Sequence, residues 1–143
     1  VKEYLSFIAA GHEIKNPTNR IQEVIEQTGL GLMQTKKINQ LSKGYKQRVG
    51  MAAAIIHSPI LLILDEPTAG LDPNQLTEIR ALIKSLSANA MILFSTHILQ
   101  EVTAICDRVL VLNKGKLVAN DTIAALAQKH EAGLEEIFKM LTH

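Results

Sequence analysis

The sequence is poor in aromatic residues: it has no tryptophan, two tyrosines and three phenylalanines among 143 residues. Hydrophobic residues nevertheless make up 47% of the chain, so any core must be built from Leu, Ile, Val and Ala. A single cysteine, Cys106, excludes an internal disulfide and points to a reducing cytoplasm. Set in an apolar stretch, Cys106 reads as a small core residue rather than a nucleophile. Long apolar runs are missing too. The longest, residues 60–64, has the length of a strand and falls far short of the ~20 residues a membrane-crossing helix needs. Neither sign of charge dominates: 15 basic and 14 acidic side chains leave +1, which gives no global reason to expect nucleic acid or an acidic lipid surface as partner. The opening Val1-Lys2-Glu3-Tyr4 is not a signal peptide. It begins without Met and inside an amphipathic pattern, and so reads as part of a longer chain.

What is present has the balance of a globular domain, with 20% charged residues. Leu5, Ile8 and Ala9 recur at helical spacing, and Gly11 can end that helix. Pro17 opens a second helix in which Ile21, Val24 and Ile25 share a face, with Gly29 past its end. Residues 29–40 read as a loop, and Ser42 as the N-cap of a helix running to about His57. The pattern then changes. Ile60-Leu61-Leu62-Ile63-Leu64 is a continuous apolar run, as expected of a strand buried on both faces of a parallel sheet. Asp72-Pro73 opens a helix to about Leu86. Residues 91–94 form a second buried strand, 98–105 a helix, and 108–112 a third strand that turns at Asn113-Lys114-Gly115 into residues 116–119 as a hairpin. Two short helices broken at Gly133 complete the chain. Strand, helix, strand, helix, strand predicts an α/β architecture. The expected division is a helical part (1–57), an α/β core (58–120) and C-terminal helices (121–143).

Three groups of residues carry chemistry. Asp65 and Glu66 follow an apolar strand at the edge where open α/β sheets bind ligands. One carboxylate there can hold Mg²⁺ and the other can orient or deprotonate a water. The second group is Leu41-Ser42-Lys43-Gly44-Tyr45-Lys46-Gln47-Arg48-Val49. Its helix start gathers Lys43, Lys46 and Arg48 and has no acid. Each such cation opposes the helix dipole at a cost of about 0.3–1 kcal/mol at an exposed site. Tyr45, not Glu, stands where a capping box needs its acid. Such a start suits an outside anion such as phosphate. The third is Ser95-Thr96-His97 at the end of the second strand, where an imidazole can touch a phosphate or an attacking water.

In this order and spacing the groups closely resemble the motif series of ABC ATPases. Leu41, Ser42 and Gly44 match the signature Leu-Ser-Gly-Gly-Gln, and Gln47-Arg48 the pair that follows it; Lys43 replaces the first glycine and Tyr45 the glutamine. Residues 61–65 resemble the Walker B strand, Glu66 the catalytic glutamate, Ala69-Gly70-Leu71-Asp72 the D-loop, and His97 the switch histidine. No Gly-x-x-x-x-Gly-Lys-[Ser/Thr] occurs in the sequence. The resemblance therefore implies a P-loop NTPase-like parallel sheet without its N-terminal phosphate-loop part, joined to a helical signature subdomain.

It further implies ATP and Mg²⁺ as cofactors, with Asp65 at the metal, Glu66 and His97 catalytic, and Ser42, Lys43, Gly44, Tyr45, Gln47 and Asp72 at the nucleotide. The implied partners are a second such domain, most simply another copy, and transmembrane permease subunits, with the protein peripheral at the cytoplasmic face of the membrane. Residues 41–50 most resemble bacterial exporter ATPases, including the gliding-motility type. A soluble ABC-type ATPase and a non-catalytic module lending signature residues in trans stand as alternatives. Without the phosphate-loop strand, the strand at 91–94 is expected to lose a neighbour. Either the hairpin at 108–119 or a second copy is expected to fill the gap.

Overall fold

The computed structural model describes residues 1–142, which divide into two compact units, one spanning Val1–Ser95 and the other starting at Thr96. In the first unit, α1 (Lys2–Gly11), α2 (Pro17–Gln27) and α3 (Lys43–Ile55) each turn an aliphatic stripe inward: Leu5 and Ala9, then Ile21, Val24 and Ile25, then Val49, Ala52 and Ile55. Pro17 stands at the first position of α2, where its missing N–H costs nothing. Gly29, in the left-handed region at φ +66°, reverses the chain after α2 so that Leu30 enters the core. The stretch expected to be loop contains two short 3₁₀ turns, Gly31–Met33 and Ile38–Gln40. Arg20 reaches across from α2 and donates to the carbonyls of Ile55 and Ile56 at 2.7 and 2.8 Å, satisfying groups left open at the end of α3.

Two parallel strands follow, β1 (Leu61–Asp65) and β2 (Met91–Ser95), paired in register from Leu61 opposite Met91 to Asp65 opposite Ser95. Parallel neighbours need a crossover, and α4 (Pro73–Leu86) supplies it. Leu62 belongs to the same core as the three helices, with Leu64 and Ile92 packed against it. The opposite face is bare. Ile63 is 67% and Met91 71% exposed, and Leu61 and Leu93 are exposed beside them. The expectation of strands buried on both faces is therefore corrected: within this chain, cover reaches one face of the sheet.

From Thr96 onward, α5 (Leu99–Ile105) leads to an antiparallel hairpin of β3 (Arg108–Asn113) and β4 (Lys116–Thr122). Lys114 and Gly115 both take positive φ at its two-residue turn. Thr122 caps α6 (Ile123–His130) by accepting from Ala125 N at 3.1 Å, and α7 (Leu134–Thr142) follows. The break between these helices lies where expected, but Glu131 rather than Gly133 takes the left-handed conformation that ends α6. The described strands form two separate two-stranded sheets, β1 with β2 and β3 with β4. Among the described residues β3 and β4 pair with each other and not with β2, so the expected pairing of the hairpin with that strand is not found.

The two faces of β1 generate a contrast that urea denaturation measures. Leu62→Ala should cost about 2–5 kcal/mol, as a truncated core leucine does. Ile63→Lys should stay within about 0.5 kcal/mol and should lower the binding of an apolar dye. Equal costs at the two positions would contradict the one-sided burial.

Candidate functional site

Register places the first cluster. Asp65 is the last residue of β1 and lies opposite Ser95, the last of β2. The Ser95 hydroxyl donates to Asp65 Oδ1 at 2.5 Å and accepts from Glu66 N at 3.2 Å. One serine thus fixes the carboxylate and the backbone of its neighbour. Glu66 sits at φ +46°, a left-handed conformation that costs a non-glycine residue about 1–2 kcal/mol and turns the chain sharply off the strand. Two tight turns follow, Ala69 N to Glu66 O at 3.1 Å and Leu71 N to Thr68 O at 3.3 Å. They deliver Asp72 to the head of α4, where its Oδ1 accepts from Asn74 N and Gln75 N at 3.0 Å.

The second cluster is the start of α3. Ser42 Oγ accepts from Tyr45 N at 3.4 Å, a long capping bond, and no acid lies in the first turn. Gly44 is buried against α4: a Cβ there would sit 3.0 Å from Gln75 Cδ. At Gly70, itself at φ +69°, an added Cβ would lie 2.4 Å from Lys43 Nζ. An open groove of about 280 Å³ runs between the two helix starts, with Ser42, Gly44, Tyr45, Asp72 and Gln75 in its wall. Gln47 is half-buried, and its Oε1 finds no hydrogen-bond partner among the described residues.

The first unit thus gathers Asp65 with Glu66, and Ser42, Lys43, Gly44 and Tyr45 with Asp72. His97 belongs to the second unit. It is exposed and follows Thr96, whose Oγ1 accepts from Ile98 N at 3.1 Å. Sequence reasoning named Ser95 only beside His97 and missed its tie to Asp65, and it missed Gln75 and Glu78. The tie was within reach, since two strands in register that end together bring their last side chains together. Gln75 and Glu78 gave no signal, because their importance comes from which helix α3 packs upon.

The residues fit the implied cofactors in part. Asp65 presents an exposed, serine-oriented carboxylate at a strand's C-terminal edge, suited to a hard cation such as Mg²⁺. No group of three or more His, Cys, Asp or Glu that could hold a metal occurs among the described residues. Asp65 would therefore share the cation with water and phosphate oxygens. The acid-free start of α3 suits phosphate oxygens. The loop that would cradle a triphosphate is not among the 143 residues.

The sequence profile of the family described as ABC transporter matches residues 3–69. The uncharacterized ABC transporter ATP-binding protein YdbJ of Bacillus subtilis is 40% identical over 137 residues, covering 94% of this chain and 44% of that protein. The bacitracin transport ATP-binding protein BcrA of Bacillus licheniformis is 43% identical over 119 residues, covering 82% and 39%. Among solved structures, an ATP-binding subunit of an ABC transporter superposes with a TM-score of 0.82 at 28% identity, covering 99% of this chain and 62% of that one. These matches define the class as a P-loop NTPase-like α/β ATP-binding domain with a helical subdomain. The chain belongs to the ABC transporter ATP-binding family. It spans about two fifths of the length of the curated relatives it matches. No helix among the described residues is long and apolar enough to cross a membrane.

Cys106 lies half-buried after α5, and burial, with Asp107 and Glu101 nearby, raises its thiol pKa to about 11. The thiol is therefore protonated at neutral pH and a poor nucleophile. Its alkylation rate should be far below that of a free cysteine at pH 7 and should rise about tenfold per pH unit up to about 11. A rate that levels off near pH 8.5 would show an ordinary thiol.

Proposed function

We propose that the chain is the signature- and Walker B-bearing portion of an ABC transporter ATP-binding subunit, in which ATP binding and hydrolysis are coupled to transport across a membrane. The observation that supports this most is the Ser95-organised pair Asp65–Glu66 at the C-terminal edge of a parallel sheet. The same unit carries an acid-free helix start at Ser42. In this reading residues 1–57 are the signature subdomain, 58–120 belong to the ATPase core and 121–143 are C-terminal helices.

When bound, ATP would supply the phosphoanhydride bond to be broken and Mg²⁺ would neutralise the charge that develops on it. Asp65 would be the residue to hold the cation, directly or through water. Glu66 orients a water and takes its proton. His97 is the second catalytic residue of this reading, its imidazole suited to touch a phosphate or the attacking water. Ser42 and Gly44, with Lys43, Tyr45 and Gln47 beside them, face the nucleotide of a second domain, a copy of the same subunit. Asp72 keeps the D-loop turn at the head of α4, within reach of the same nucleotide. Permease subunits at the cytoplasmic face of the membrane are the remaining partners. The relative named for bacitracin transport supports a transport role.

A second reading starts from the acid-free, Ser42-capped head of α3: a module that lends Ser42 and its neighbours in trans without hydrolysing anything. One comparison separates the two. The purified chain alone should show no Mg²⁺–ATP turnover, since Asp65 and Glu66 have no triphosphate cradle. In a complete subunit carrying these residues, Glu66→Gln should lower kcat by about 10²-fold or more, the range of a general base, with ATP binding retained. Near-normal turnover in that variant would remove Glu66 from the chemistry, whereas no turnover even in the unsubstituted complete subunit would favour the lending module.

A further inference from the structure

Arg48 lies in the second turn of α3, and its side chain is only 14% exposed. Its Nη1 donates to the carbonyl of Thr28, just past the end of α2, at 2.9 Å, and its Nη2 donates to the carboxylate of Glu78 on α4. The guanidinium carbon stands 6.0 Å from the centre of the Tyr45 ring. Nη1 also lies against Gly29, itself at φ +66°: an added Cβ would sit 2.7 Å from it and push the guanidinium aside. One planar group therefore joins three helices, a task for which arginine's fork suits and lysine's single ammonium does not.

The contacts continue toward the helix starts. Gly44 packs on Gln75, and Lys43 Nζ lies over Gly70. From Lys43–Gly70 through Gly44–Gln75 to Arg48–Glu78, α3 and the 70–78 segment are in step along their first turns. Both glycines sit where the neighbouring element occupies the space a side chain would take.

We propose that Arg48 is a positioning residue. Held by the Thr28 carbonyl and paired with Glu78, it fixes α3 to α4, so that residues 42–45 and the turn before Asp72 move as one body. The consequence, that two parts of a nucleotide site keep step, rests on the ATP-binding reading. The coupling itself does not.

Amide hydrogen exchange on the intact 143-residue chain, with no nucleotide present, tests it. Glu78 is 62% exposed, so Glu78→Gln leaves the fold undisturbed. It should raise exchange at 43–48 and 72–76 together by about twofold to fivefold, the range of an ion pair with one exposed partner. The amides of α1, β1 and β2 should keep their rates. Arg48→Lys should give an intermediate rise, and Arg48→Met one of about tenfold or more as the Thr28 bond is lost as well. If Arg48→Met does not fold, Glu78→Gln decides alone. A rise confined to α3, or one spread evenly over the first unit, would reduce Arg48 to a general stabiliser and overturn the proposal. An inactive full subunit would leave this result untouched.

Discussion

The parallel pairing of β1 with β2 is the constraint on which the rest depends. Parallel neighbours cannot be joined by a tight turn, so the chain must leave β1, form a helix and return. That departure explains the left-handed Glu66, the two turns after it and Asp72 at the head of α4. The same register sets Ser95 opposite Asp65 and so organises the acidic strand end. A slip of one residue would send Leu62 to the bare face and Ile63 to the core, and would part serine from carboxylate.

Around this pair, local rules are broken where a site is read. Cations crowd the start of a helix, a glycine occupies its first turn and a glutamate takes a left-handed backbone. Each choice costs stability on its own, and such departures concentrate where structure serves binding. Two of them also have structural partners. Gly44 admits Gln75, and Arg48 finds Thr28 and Glu78. The charge that opposes the helix dipole is thus in part spent on joining α3 to its neighbours.

The bare face of β1 and β2 reflects a different constraint. Parallel strands read as unbroken apolar runs because both faces are ordinarily covered. Here Leu62 reaches the helical core while Ile63 and Met91 stay open. The chain superposes along 99% of its length on an ATP-binding subunit of which it covers 62%.

Period and punctuation in the sequence determined most of the elements. Aliphatic spacing marked α1 and α2, the Ser42 cap marked α3, Asp72-Pro73 marked α4, and the unbroken run at 60–64 marked a parallel strand with Asp65 and Glu66 at its end. These are local signals, fixed by capping chemistry and side-chain period, and they need no knowledge of neighbours. Burial did not follow from them: the apolar runs promised two covered faces and the fold covers one. Nor did partnership. That Ser95 holds Asp65, that Glu131 rather than a glycine ends α6, and that Arg48 meets Glu78 across thirty residues were decided by packing. A side chain's partner is set by which elements come together in space, and residues so far apart along the chain carry no mark of having met.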